Sequence, residues 1–240
     1  ALNSRTLRWR YGAPRVEQLL IVPQSLRSPD PSFWVEVNHG QFGLAGSQAL
    51  LNGRSPFEIP PPSRNWNRAL NGFSWLRHLS SAEEDEAAET ARQLAVEWAI
   101  RNAKGTGDAW RPEVLARRVI SWLSYANLLL EGADERTYHT ISTSLGSQLV
   151  RLSSAWREAL TGYPRLLAPM ALVYADLCIA GRDRRLDIDL PLLVEEIRRQ
   201  VLPDGGHVSR NPNALVEILL DLLPLRQCFR ARGRKQPAEI

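Results

Sequence analysis

The 240-residue chain has little of several things that would assign it a class at once. It holds two cysteines, Cys178 and Cys228, both inside helical patterns and at no metal-ligand spacing. A disulfide framework is therefore excluded as the main stabiliser, and two buried free thiols are expected. No run approaches the roughly 20 uninterrupted apolar residues of a membrane span; even "ALVEILLDLLPL" is broken by Glu217, Asp221 and Pro224. The opening stretch "ALNSRTLRWRYGAP" lacks the continuous apolar centre of a secretory leader. Nothing has the form of a phosphate-cradling glycine loop or a nucleophile elbow, and "GTGDAW" lacks the preceding strand that a nucleotide fingerprint requires. His39, His78, His139 and His207 are far apart, so no local metal motif exists and neither metal nor cofactor is expected.

What is present is an ordinary globular composition, 44% hydrophobic and 23% charged, with a net charge of +4 and a pI near 9.4. Arginine supplies nearly all of the positive charge, which permits attraction to polyanions in general. The run "RARGRKQP" carries no interleaved aromatic residue and reads as a solvated segment, so no nucleic-acid partner is expected.

Residues 1–64 do not read as helical. "FWVEV" alternates like a short strand, "HGQFGLAG" is rich in glycine, and "SPFEIPPPSRNW" is an extended proline segment. Residues 65–240 have helical periodicity. Trp66, Leu70, Phe73 and Leu76 share one face of a first helix. A second helix opens at Ser81 and Glu84 as a capping box, and a third begins near Pro112. A fourth follows "GAD", a fifth runs from about Pro164 to Gly181, and a sixth starts near Pro191. The seventh opens with Asn211 as cap and Pro212 as first residue, and Pro224 is expected to kink or end it. Seven antiparallel helices joined by short connections, with no fixed-period repeat, predict an all-α fold arranged as an incomplete α/α toroid of helical hairpins behind an irregular N-terminal arm.

Candidate functional residues concentrate in "QVLPDGGHVSRNP", where Gly205 and Gly206 allow a tight reversal that presents His207, Ser209, Arg210 and Asn211. The same turn serves equally as a plain connection in which Asp204 and Asn211 act as caps. Trp66, Trp98, Trp122 and Trp156 fall on apolar faces and read as core, while Trp34, Trp75 and Trp110 are freer to stack on a ligand. Of the pair Arg117 and Arg118, one is placed to snorkel to solvent and the other to reach an acidic partner.

Three stretches, "GRSPFEIPPPSRNWNRALNGFSWLRHL", "AWRPEVLARRVISWL" and "QVLPDGGHVSRNPNALVEILLDLLPLR", resemble in content and order the heparinase II/III-like proteins of α-proteobacteria. That resemblance implies an N-terminal toroid whose companion C-terminal β-sandwich is missing here, and β-elimination of uronic-acid-containing acidic polysaccharides. His207 and Asn211 would be the catalytic candidates, neutralising the substrate carboxylate. Ser209, Arg210, Trp75 and Arg118 would contact substrate. No catalytic tyrosine matches, since Asn213, Ala214 and Leu215 follow the turn. The resemblance also implies a periplasmic location, or a cytoplasmic one if no leader precedes the chain. An unfinished ring would leave an apolar surface through which homo-oligomers form. Two alternatives stand beside the lyase: a non-catalytic acidic-glycan-binding or envelope-assembly protein, and an α-solenoid-like scaffold that takes protein or nucleic acid on a continuous basic stripe.

Overall fold

A computed structural model of the protein describes residues 16, 18–82 and 84–240. The opening stretch considered above as a leader lies outside them. Among the described residues the chain is all-α apart from one two-stranded hairpin.

The N-terminal segment differs from its expected form. "FWVEV" belongs to a short helix, α1 (Phe33–Asn38), and not to a strand. Asp30 starts it by accepting hydrogen bonds from the Ser32 amide (3.0 Å) and hydroxyl (2.8 Å). Phe33 and Trp34 are both buried, and neighbours in a strand would point to opposite faces. A helical turn brings both to the core. The glycine-rich stretch becomes β1 (Gln41–Leu44) and β2 (Ser47–Leu50), joined by Ala45 and Gly46 at φ 50° and 73°. Positive φ at both positions is the two-residue turn whose twist matches a hairpin. Phe42 from this hairpin is fully buried. Its ring lies 5.1 Å from that of Phe33 and 5.5 Å from that of Trp75, and its carbonyl accepts from the Trp66 indole at 2.9 Å.

The helices that follow are α2 (Arg64–Gly72), α3 (Leu76–Leu79), α4 (Asp85–Arg101), α5 (Pro112–Ser124), α6 (Ala126–Leu130), α7 (Glu135–Ala155), α8 (Tyr163–Cys178), α9 (Asp183–Gln200) and α10 (Pro212–Ala231). Ser63 caps α2, Asp134 caps α7 and Asn211 caps α10. The expected capping box at Ser81 and Glu84 does not form. The Ser81 hydroxyl donates back to the His78 carbonyl, and α4 begins at Asp85 without a side-chain cap. Nor does α9 start at Pro191: it starts eight residues earlier, with the proline inside it. Interior proline costs about 3 kcal/mol, but Leu186, Leu193 and Ile197 bury one continuous face that outweighs it. Pro224 likewise does not end α10.

α8 is the centre of the fold. Every residue from Leu166 to Cys178 is buried, and the helix packs on α5, α7, α9 and α10, while α5 packs in turn on α2 and α7. Gly72 lets α2 approach α5 closely, since a Cβ there would lie 3.2 Å from Arg117 Cγ. Phe73, with a left-handed φ of 58°, ends α2 and turns its ring into an aromatic cluster with Trp75, Trp98 and Trp122.

Candidate functional site

The residues singled out in the sequence are placed as follows. His207 is buried at 4% exposure in a miniature hairpin: Val201 bridges to His207, the Leu202 amide donates to the Gly206 carbonyl and the Val208 amide to the Gln200 carbonyl, both at 2.8 Å. Its Nδ1 accepts from the Ser209 amide at 3.2 Å and lies 2.7 Å from the Ser209 hydroxyl, so Nε2 carries the proton and donates to Gln200 Oε1 at 3.1 Å. Both ring nitrogens are engaged inside the turn. Asn211 accepts from the Asn213 amide (3.0 Å), and Arg210 pairs on the surface with Asp204 (2.7 Å). The two glycines have separate reasons. Gly205 adopts φ 80°, whereas a Cβ on Gly206 would sit 3.0 Å from Arg210 Nη1 and 3.1 Å from Asp204 Oδ1.

Trp75 and Arg118 are fully buried and far from that turn in the chain. Trp75 donates to the Leu70 carbonyl. Trp34 and Trp110, also expected to be freer, are buried at 7% exposure each. Arg118 does not snorkel. Its guanidinium carbon lies 3.7 Å from the centre of the Trp98 ring, and it donates to Gln148 Oε1 and to the carbonyls of Asn71 and Ala109. Burial with no carboxylate in reach pushes its pKa down.

A different set of residues converges on a small surface recess between the N-terminal segment, α3, α5, α8 and α10. At its floor Asp221, 2% exposed, accepts from Arg117 Nη1 (2.9 Å) and Nη2 (2.7 Å) in a two-pronged pair. Arg27 reaches it from the N-terminal segment at 2.7 Å, and sends its other nitrogen to Glu217 at 2.6 Å. The Tyr163 hydroxyl donates to Asp221 Oδ2 at 2.5 Å, and Tyr174 donates to the Asp221 carbonyl. Burial alone would raise the Asp221 carboxyl; Arg117 and Arg27 outweigh it and hold the group below the ordinary carboxylate range. Burial raises the pKa of Tyr163, so the phenol stays a proton donor.

Arg77 stands on the wall of the same recess. Its guanidinium donates to two backbone carbonyls, Ser74 at 2.7 Å and Ser28 at 3.3 Å, and among the described residues it has no carboxylate partner. Burial, then repulsion from Arg27 and Arg117, lowers its pKa. The expectation that one of Arg117 and Arg118 meets an acidic partner is met by Arg117. Asp221 was noted only as a break in an apolar run, yet it stands three residues after buried Ile218 and four before buried Leu225. A carboxylate in the core stripe of a helix is a signal that it has a partner.

The fold and this site define an all-α domain that carries a buried arginine–carboxylate network beneath an open cationic wall. The chain is similar to FtsZ-localized protein C of Caulobacter vibrioides, with 31% identity over 245 residues, covering 97% of this chain and 40% of that protein. It therefore spans less than half the length of that relative. No family model and no solved structure matches the chain. The heparinase II/III-like resemblance is corrected on these grounds, because the similarity to FtsZ-localized protein C runs along nearly the whole chain and no lyase family accompanies it. The expected acidic polysaccharide partner goes with it, as do the glycan-binding or envelope-assembly and the α-solenoid alternatives. No described helix is long and apolar enough to cross a membrane.

Proposed function

We propose that this chain is a helical docking domain of a cell-division protein that localises with FtsZ. The observation that carries the proposal is the 31% identity along 97% of the chain to a protein named for that localisation. Two structural features support a docking role. The His207 turn is occupied by its own hydrogen bonds, and the recess presents a cation held on a rigid wall of helices. Such a surface recognises a partner without having to move first. We infer in addition that the helices form an arc of an α/α toroid. Contacts link α2 to α5, α5 to α8 and α8 to α10 as one row, with α4 packed on α7 outside it.

The test is a fluorescent fusion of the 240-residue chain, imaged together with labelled FtsZ in dividing bacteria. A band coincident with the FtsZ ring is the expected result. Diffuse fluorescence in cells whose FtsZ rings are intact removes the proposal. Co-sedimentation of the purified chain with FtsZ assembled in GTP then separates direct recruitment from recruitment through a third protein.

A further inference from the structure

The geometry points to the recess as a binding site for the carboxylate of an acidic peptide segment, with Arg77 as the receiving group and the outer face of α10 as the platform for the segment's apolar side chains. The inference rests on the docking function proposed above and names the chemistry of the partner.

Charge is the first argument. Three arginines, Arg27, Arg77 and Arg117, share the recess with two carboxylates, Asp221 and Glu217. Arg27 and Arg117 spend donors on those two acids, so among the described residues the guanidinium in the recess without a paired carboxylate is Arg77. Its guanidinium is held by the Ser74 and Ser28 carbonyls, it lines the recess, and the Nη2 donors are not spent on either carbonyl. A guanidinium fixed in this way binds a carboxylate with both prongs at small entropic cost. Arg117 already holds Asp221 in that geometry within the same recess. Ser74, Ser124 and Tyr125 also line the recess and carry hydroxyls able to donate.

Apolar surface is the second argument. Val216, Leu220 and Leu223 recur at i, i+4 and i+7, so they form one stripe about 10 Å long on α10. Val216 and Leu223 are 52% and 43% exposed, and neighbouring Leu219 is 44% exposed. Leu220 belongs both to this stripe and to the lining of the recess, which makes the two surfaces continuous. Glu217, 47% exposed, is paired with Arg27 at 2.6 Å. A peptide with apolar side chains and one seated carboxylate meets both surfaces.

The probe is a fluorescein-labelled 12-residue peptide of alternating Leu and Glu, titrated by anisotropy against the full chain. Its control carries Gln at every Glu position. Binding of the Glu peptide, with the Gln peptide at least tenfold weaker, is expected. Arg77→Gln lowers affinity on the order of tenfold, and Leu223→Asp, a change at a 43% exposed position whose folding is checked by circular dichroism, lowers it by a similar factor. Equal binding of the two peptides, or affinity unchanged in Arg77→Gln, overturns the site. So does preferential capture of phosphatidylglycerol vesicles or single-stranded DNA over the Glu peptide. FtsZ-ring localisation of the native chain, together with failure of the Glu peptide to bind that same chain, removes this inference alone. Peptide binding by a chain that stays diffuse in cells removes the function proposed above and leaves the site standing.

Discussion

Asp221→Asn is the perturbation that examines the core of the recess most directly. The native carboxylate accepts from Arg27 at 2.7 and 3.3 Å, from Arg117 at 2.9 and 2.7 Å, and from Tyr163 at 2.5 Å. Asparagine keeps the shape, removes the charge, and turns an NH2 group toward donors that need an acceptor. Two guanidinium groups are then left largely buried, with Glu217 able to serve only Arg27. Unpairing a buried ion costs about 3–5 kcal/mol, a large fraction of the 5–15 kcal/mol that holds a typical domain. The measurement is urea unfolding at pH 7.5, followed by fluorescence of the eight tryptophans. The loss should hardly change between low and high salt, because pairs removed from solvent are weakly screened. It should also close in acid. The Asp221 pKa is depressed in the folded chain, so its contribution is present above the unfolded value of 3.8 and disappears as pH falls below it. A loss under about 1 kcal/mol, the size expected of a surface pair, would refute the picture of a desolvated network.

Two further titrating groups give opposite pH dependences. Burial raises the Asp176 carboxyl from 3.8 to about 7 despite Arg182 at 2.8 Å, and Asp189 adds to the rise. The folded chain therefore holds a proton that the unfolded chain releases, and stability falls as pH climbs from about 4 to 7. Asp176→Asn removes that slope and raises the melting temperature at pH 8; a lower one at that pH contradicts it. Burial lowers His78 from 6.5 to about 4, and its Nδ1 accepts from the Asp30 amide at 2.6 Å. Its contribution is full above pH 6.5 and is lost as pH falls toward 4. Between those limits it opposes Asp176. In His78→Gln the opposing contribution is gone, so stability rises more on acidification from pH 6.5 to 4 than in the native chain; a profile unchanged from the native one speaks against a neutral His78.

The helical periodicity was legible from one sequence because it is local. Asn211 and Pro212 opened α10 as expected, and Trp66, Trp98, Trp122 and Trp156 went to the core. Local signals also misled where tertiary burial decided. "FWVEV" alternates, yet Phe33 and Trp34 both needed the interior, and Pro191 has the look of a first helical residue while sitting inside α9. The recess was illegible for a plainer reason. Its salt bridges join residues 194 and 104 positions apart, and no spacing rule reaches that far. The His207 turn drew attention instead because its polar residues are adjacent in sequence, and adjacency is what a self-satisfied turn requires. Likewise, the heparinase resemblance rested on three quoted stretches in family order, whereas the similarity that displaced it is a 31% identity over 97% of the chain.

The partner of Arg117 is made late. A ribosome adding about 5–20 residues per second needs roughly 5–20 s to travel the 104 residues from Arg117 to Asp221. Throughout that interval α5 carries a guanidinium with no acid to receive it, and Arg27 waits with it. The nascent chain thus has a charge-driven reason to close α5 on α8 only once α10 has emerged. Segments 194 residues apart meet at one carboxylate, so the network is completed only when both have left the ribosome.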